Sequence, residues 1–394
     1  MPNAITAPPA PDVVVVGAGL AGLSAAWSLA RAGASVLVLD RDAPGAATSR
    51  VAAGMIAPVT EAEPDHPRAS ALGVAARDAW PGFAAGLAAA SGVELPLLDA
   101  GSLAIARDRD EAEALDRFRA VRERMGLRVE RLLPSAARRL EPALAPTLRG
   151  ALAVPDDLAV DPRRVVVALV RAITAAGGEL RDGAAVRDVV VADGRATGVR
   201  LEDGSTVRAG AVVIATGPWA GEGVGVPDAD RIPVRPVKGQ LLVLRDPDGP
   251  GLVTRVLRFA LGGGYLVPRP DGRYVLGGTV EEQGFDRSVT ALAVHDLLRD
   301  GAELVPGLLE LRIEESIAGL RPATPDGLPA IGASPETDGL WWCAGHYRNG
   351  VLWASVTGGL LADAMGVTTD AAPFAVDVDP RRFVTTTPGG PRDR

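Results

Sequence analysis

Three glycines and a carboxylate, Gly17, Gly19, Gly22 and Asp40, carry the first chemical signal in the chain. Their types and spacing suit a dinucleotide bridged by pyrophosphate. Glycine at 17 lets the backbone turn sharply, glycine at 19 has no Cβ to hold a phosphate away, and glycine at 22 lets a helix approach a strand closely. Asp40 follows Gly22 by 18 residues, where a carboxylate can accept hydrogen bonds from a ribose. The competing reading is a glycine-rich turn in a buried unit that binds nothing.

The flanking residues supply the frame that such a turn needs. Val13 to Val16 is a run of four β-branched residues, and Leu20, Leu23, Trp27 and Ala30 then recur at helical spacing up to Gly33. Asp40 closes a second strand. Strand, turn, helix and strand place the free N–H groups and positive dipole end of a helix against the phosphates. Residues 13 to 30 carry no charge and approach the roughly 20 residues of a membrane span. The glycines nevertheless sit where a turn is required, and the apolar character belongs to a buried parallel strand and helix.

Composition bounds the rest. At 394 residues the chain exceeds the size at which a single core stops growing, so two domains are expected. A net charge of −8 without a basic cluster argues against a nucleic-acid partner. Lys238 is the single lysine, and arginine carries the other positive charge. The lone Cys343 rules out an internal disulfide and suits a reducing, cytoplasmic compartment. His66, His295 and His346 are scattered without metal-ligand spacing, so no metal is expected. Residues 1–12 lack a basic region followed by an apolar core and read as a short disordered leader, as the tail 385–394 reads as disordered.

After Asp40 the sequence RDAPGAATSRVAAGMIAPVTEAE is too rich in small residues and prolines for a plain helix. It offers Thr48 and Ser49 hydroxyls and lets the backbone at Ala52, Ala53 and Gly54 pass close to something flat, which points to a flavin. Helices are expected from about 67 to 90, over EAEALDRFRAVRERMG with Leu115, Phe118, Val121 and Met125 inward and a solvated charged face, and after an Asp161 cap and Pro162. A second buried strand, Val212 to Ala215, ends at Thr216 and Gly217, where backbone can meet a ligand. From Arg231 to Arg312 short strands alternate with turn signals, as in a separate antiparallel domain.

Seven stretches together resemble the FAD-dependent amine and amino-acid oxidase family that includes D-amino acid oxidase and monomeric sarcosine oxidase. They are GAGLAG, AAGMIAP, IATGPWA, RPVKGQ, YLVPRPDGRYVLGGTVEE, GLRPATPDGLPAIG and AGHYRNGVLWA. The resemblance spans roughly residues 10 to 370 and implies an α/β (overall α+β) fold. A Rossmann-like FAD-binding domain (10–88, 153–230 and 315–370) would carry a second, mixed antiparallel-sheet substrate domain (89–152 and 231–314), with 371–394 as tail.

Carried over by position, the resemblance implies FAD contacts from Leu20 and Ala21, from Asp40 and Arg41, from Thr48, Ser49, Ala53, Gly54 and Met55, and from Val186. His346, Tyr347, Arg348, Asn349, Gly350, Val351 and Leu352 would surround the flavin ring. Gly345, Asn349 and Gly350 also suit a backbone that crosses a planar ring and presents N–H groups to it. The family places a substrate-binding arginine at Arg321, where a planar fork can clamp an α-carboxylate. Arg348 and the Tyr265 hydroxyl would be further carboxylate contacts, and Lys238 would brace the domain junction.

The implied chemistry is oxidation of a small amino acid, glycine foremost, with molecular oxygen as acceptor. Sarcosine, a D-amino acid or proline as substrate, a quinone as acceptor, and a non-catalytic nucleotide-binding protein stay open, as does a homo-oligomer. Ala318 and Gly319 stand where covalent-flavin members carry cysteine, so FAD would be held non-covalently. The glycines of LGGG before Tyr265 leave the pocket's size open.

Overall fold

The computed structural model describes residues 10–62, 64–222, 225–260, 264–368 and 374–384. The leader's residues 1–9, the tail 385–394 and Leu261–Gly263 of the LGGG segment lie outside the described residues.

Val13–Val16 is the central strand of a six-stranded sheet, paired in parallel with Val36–Leu39 on one side and Ala211–Ile214 on the other. Glu179–Arg181 and Leu340–Ala344 extend the parallel set, and Ala330–Ala333 closes one edge antiparallel. All four valines are buried, because alternate side chains of a central parallel strand enter different cores. Val13 and Val15 pack among the helices Leu20–Arg31, Pro67–Ser91, Pro162–Ala175 and Gly350–Ala364. Val14 and Val16 face a layer carrying the three-stranded sheet of Val186–Ala192, Arg195–Leu201 and Thr206–Arg208. The apolar stretch 13–30 is thus a buried strand followed by a helix. Among the described residues no helix is long and apolar enough to cross a membrane.

An eight-stranded sheet forms the second half, in the order Arg312–Ala323, Arg235–Arg245, Arg273–Gly277, Tyr265–Pro268, Val256–Phe259, Ser102–Ala106, Gly150–Val154 and Glu130–Leu132. Its neighbours are antiparallel except Val256–Phe259 with Ser102–Ala106. The boundaries expected at 152/153 and 314/315 both fall inside continuous strands of this sheet. Pairing with Arg235–Arg245 runs the full length from Arg312 to Ala323, so the crossing between halves comes after the strand.

Two further expectations need correction. The helix Arg109–Arg124 buries Leu115, but Phe118, Val121 and Met125 are only half-buried, and two of its charges lie inside. The buried Glu111 pairs with the half-buried Arg107, and Arg122 donates to the carbonyls of Val59, at 2.9 Å, and Ala62. A charged residue with a partner set of this kind is stable inside, which a helical wheel does not reveal. Lys238, 1% exposed, pairs with Asp286 at 2.5 Å. It braces one part of the eight-stranded half against another instead of a junction between the halves. The Asp161 cap is as expected, its side chain accepting from Arg163 N at 2.9 Å with Pro162 opening the helix.

Candidate active site

The central strand delivers Gly17 to the carboxyl edge of the parallel sheet with φ of +113°, and a Cβ there would stand 2.4 Å from the Ala215 carbonyl oxygen. Only glycine fits both constraints. Gly19 caps the helix Leu20–Arg31, whose first turn holds no acid to compete for its N–H groups. Gly22 does not border the cavity. A Cβ at Gly22 would lie 2.1 Å from the Gly17 carbonyl oxygen, so its part is to let the helix sit on the turn.

The polar side chains around this turn are partly used in holding it. Asp40 accepts from Ala18 N at 2.6 Å and Asp42 N at 2.9 Å, and each carboxylate oxygen keeps a lone pair for another donor. Ser49 Oγ accepts from Leu20 N at 3.0 Å, and Thr48 donates to the Leu320 carbonyl at 2.7 Å, tying the loop to both halves of the molecule. Arg41 lies over the Trp219 ring, 4.1 Å from its centroid, at the end of the cavity that Val186 also lines.

That cavity is about 440 Å³ and runs between the two sheets. Gly17, Gly19, Leu20, Ala21, Asp40, Arg41, Thr48, Ser49, Ala53, Gly54, Met55, Val186, Gly217, Tyr265, Arg321 and His346 to Val351 all border it. Leu352 does not: it packs in the helical core, and its carbonyl accepts from Trp80 Nε1 at 2.9 Å. The cavity is elongated, apolar along much of its wall and edged by glycine backbone, as a dinucleotide with a flat ring requires. Thr216 Oγ1, also in the wall, is buried without a hydrogen-bond partner among the described residues. Such an atom calls for a ligand.

Toward the far end Gly54 has φ of +82°, with the Val160 carbonyl oxygen where its Cβ would be, and Arg269 donates to the Ala53 carbonyl at 2.6 Å. Burial pushes the Arg269 guanidinium down to about 10. Opposite lies the turn 345–349. Tyr347 takes φ of +43°, its N–H donates to the Pro322 carbonyl at 2.7 Å, and the Asn349 N–H donates to the His346 carbonyl at 2.9 Å. The expected N–H presentation by Asn349 is therefore taken up by the turn itself. The donors that a helix start leaves without intrahelical partners come instead from Gly350 onward. His346 Nε2 lies 2.9 Å from Thr357 Oγ1, whose hydrogen goes to the Trp353 carbonyl. Nε2 accordingly carries the imidazole proton. Burial lowers the His346 pKa to about 4, so the ring is neutral.

The same end collects cations. Arg321 projects from Arg312–Ala323, and its Nη1 donates to the carbonyls of Lys238, at 3.2 Å, and Thr279, at 3.0 Å. The guanidinium lies against Gly239, where a Cβ would be 2.3 Å from Nη1. Tyr265 reaches the same place from the neighbouring strands. Arg348 pairs with Glu61 at 2.9 Å, and Glu61 also meets Arg258 at 2.5 Å. Sequence reasoning missed Glu61 and Arg258. An arginine inside the apolar run VLRF was the available signal, whereas nothing local distinguishes Glu61 in TEAE. Among the described residues no group of three or more His, Cys, Asp and Glu side chains is placed to hold a metal.

A parallel sheet with a glycine turn at its carboxyl edge, a second large sheet and a long cavity between the two halves are the parts of a flavin-dependent oxidoreductase. The chain belongs to the FAD dependent oxidoreductase family, whose model matches residues 12–364, and its cofactor is FAD. It is 35% identical to glycine oxidase of Geobacillus kaustophilus over 93% of this chain and 96% of that protein. The crystal structure of glycine oxidase from Geobacillus kaustophilus superposes with a TM-score of 0.86 at 33% identity, covering 94% and 98% of the two chains. A bifunctional protein ThiO/ThiG of Trichormus variabilis is 34% identical over 89% of this chain, which covers 52% of that longer protein.

Proposed function

We propose that the protein oxidises glycine to its imine, which water hydrolyses to glyoxylate and ammonia, with molecular oxygen reduced to hydrogen peroxide. The observation that carries this reading is the Arg321 guanidinium, fixed through one nitrogen to two backbone carbonyls at the end of the cavity away from the phosphate turn. A planar cation held in this way is prepared to take a single carboxylate through its remaining donors.

Gly17, Gly19 and the start of Leu20–Arg31 would hold the pyrophosphate, Asp40 and Arg41 the adenosine end, and 345–351 the ring. When bound, FAD supplies the two-electron oxidation of the amine carbon–nitrogen bond. The protein's own part is orientation. Arg321 fixes the carboxylate, Tyr265 closes one side of the same space, and the neutral His346 adds no charge. No side chain of the cavity is required as an obligatory base if the amine enters neutral. Holding the reactant in one geometry contributes several kcal/mol toward the barrier.

A cytoplasmic location accords with the single Cys343, whose thiol burial pushes up to about 12 and keeps unreactive. The ThiO/ThiG relative supports a link to thiamine thiazole formation. FAD is held without a covalent bond in this reading, since no cysteine borders the ring end of the cavity except the buried Cys343. The test is anaerobic addition of glycine to the FAD-loaded protein. Bleaching of the visible flavin band, its return in air and release of peroxide are expected. Arg321→Ala should keep the flavin and lose the bleaching, and a wild-type flavin that glycine leaves oxidised would overturn the reading.

A further inference from the structure

Glu61 is a largely buried carboxylate at the substrate end of the cavity, with its side chain 12% exposed. It stands in the wall between the main cavity and a second of about 200 Å³. Burial alone would raise its pKa, but Arg258 and Arg348, with Arg321 further off, more than offset this and hold it below the ordinary glutamate value. It is therefore a permanent negative charge set among three arginines, one of which is the proposed carboxylate clamp.

The backbone that carries Glu61 is also held in place. Asp157 accepts from Val59 N at 3.2 Å and Thr60 Oγ1 at 2.6 Å, and Arg122 holds the carbonyls of Val59 and Ala62 from the other side. The Glu61 N–H itself donates to the Ala57 carbonyl at 3.0 Å. Arg258, the partner on the other flank, lies over the Tyr265 ring, 5.9 Å from its centroid. Both halves of the molecule thus contribute to one fixed cluster.

We infer that Glu61 determines which amines the site accepts: by neutralising Arg258 and Arg348 it leaves Arg321 for one carboxylate and turns away substrates with a second anionic group. This rests on the reading that Arg321 takes the substrate's carboxylate. Without Glu61, the Arg258 and Arg348 guanidiniums would lose this carboxylate and leave positive charge beside the cavity to draw a second anion. With it, a second anion meets a carboxylate of like charge where solvent screening is weak.

The test uses the FAD-loaded protein and two ligands, glycolate with one carboxylate and malonate with two, titrated at pH 8 through the change each makes in the flavin spectrum. The wild type should bind malonate weaker than glycolate by about tenfold or more, and Glu61→Gln should bring malonate to parity or better while moving glycolate less than about threefold. Glu61→Asp, which keeps the charge, should keep the wild-type preference, and with the wild-type comparison it serves if Glu61→Gln does not fold. A merely structural Glu61 would weaken both ligands together. Equal affinities in the wild type, parallel losses in Glu61→Gln, or no binding of either ligand would overturn the inference. Glycine turnover is followed in parallel: its absence alongside intact discrimination defeats the glycine reading and spares this one.

Discussion

The phenol of Tyr265 and the guanidinium of Arg321 meet over Gly278, where a Cβ would stand 2.9 Å from the Tyr265 hydroxyl oxygen and 3.4 Å from Arg321 Nη2. Gly239 makes room from the other side, with a Cβ position 2.3 Å from Arg321 Nη1. The placement of Arg321, the proposed carboxylate clamp, therefore depends on two glycines. Gly239→Ala must push the guanidinium off its carbonyl anchors, and a misplacement of about 1 Å costs on the order of 100-fold in rate. The expected result is a fall of that order in kcat/KM for glycine with flavin content unchanged. An unaltered kcat/KM would show that Arg321 is not positioned by this contact.

At the other end Gly17→Ala should act on the cofactor. The variant's Cβ would meet the Ala215 carbonyl, and φ of +113° is barred to alanine. The central strand and the turn would have to separate, at a cost of about 1–3 kcal/mol for the strained conformation alone. The protein should purify with little flavin and a lowered Tm that added FAD does not restore. Retention of full flavin content would remove the turn from the binding site.

Both ends of the cavity were readable in the chain for a physical reason: glycine at a tight turn is a local necessity, so GAGLAG and AGHYRNG announce themselves within a few residues. The middle was not. Glu61, Arg258 and Arg348 come together from a loop, a strand in the other half and the 345–349 turn, and no local rule joins positions so far apart. Arg122 shows the same limit. On a helical wheel it is one of many charges on a wet face, and its burial becomes intelligible from the carbonyls of Val59 and Ala62 and the Phe118 ring beneath it, the first two distant in sequence.

His346 predicts a loss of stability in mild acid. Burial lowers its pKa from 6.5 to about 4, so between these values the unfolded chain takes up a proton that the folded one refuses. Stability from this group is complete above pH 6.5 and is lost as pH falls toward 4, by up to about 3 kcal/mol. His346→Gln, which can still donate to Thr357, should lack that part of the decline. Denaturant unfolding of the FAD-loaded protein at pH 7.5 and pH 4.5 measures it, and parallel declines in both proteins would refute the assignment.

Asp157 predicts the opposite slope. Burial raises its pKa to about 6 despite hydrogen bonds from Thr60, Ser102 and Val59 N, so the folded protein holds a proton that the unfolded chain, at 3.8, has already released. As pH rises from 4 through 6 this group removes stability, up to about 3 kcal/mol. Asparagine suits the site, because its oxygen can accept from Val59 N while its two N–H groups face hydroxyls, which accept as readily as they donate. Asp157→Asn should therefore equal or exceed the wild type in stability at pH 8, with the advantage shrinking toward pH 4.5. The turn that carries Glu61 should stay in place, so the preference for glycolate over malonate should survive the substitution. A variant that unfolds more readily than the wild type at pH 8 would mean that the ionised carboxylate is what the turn requires.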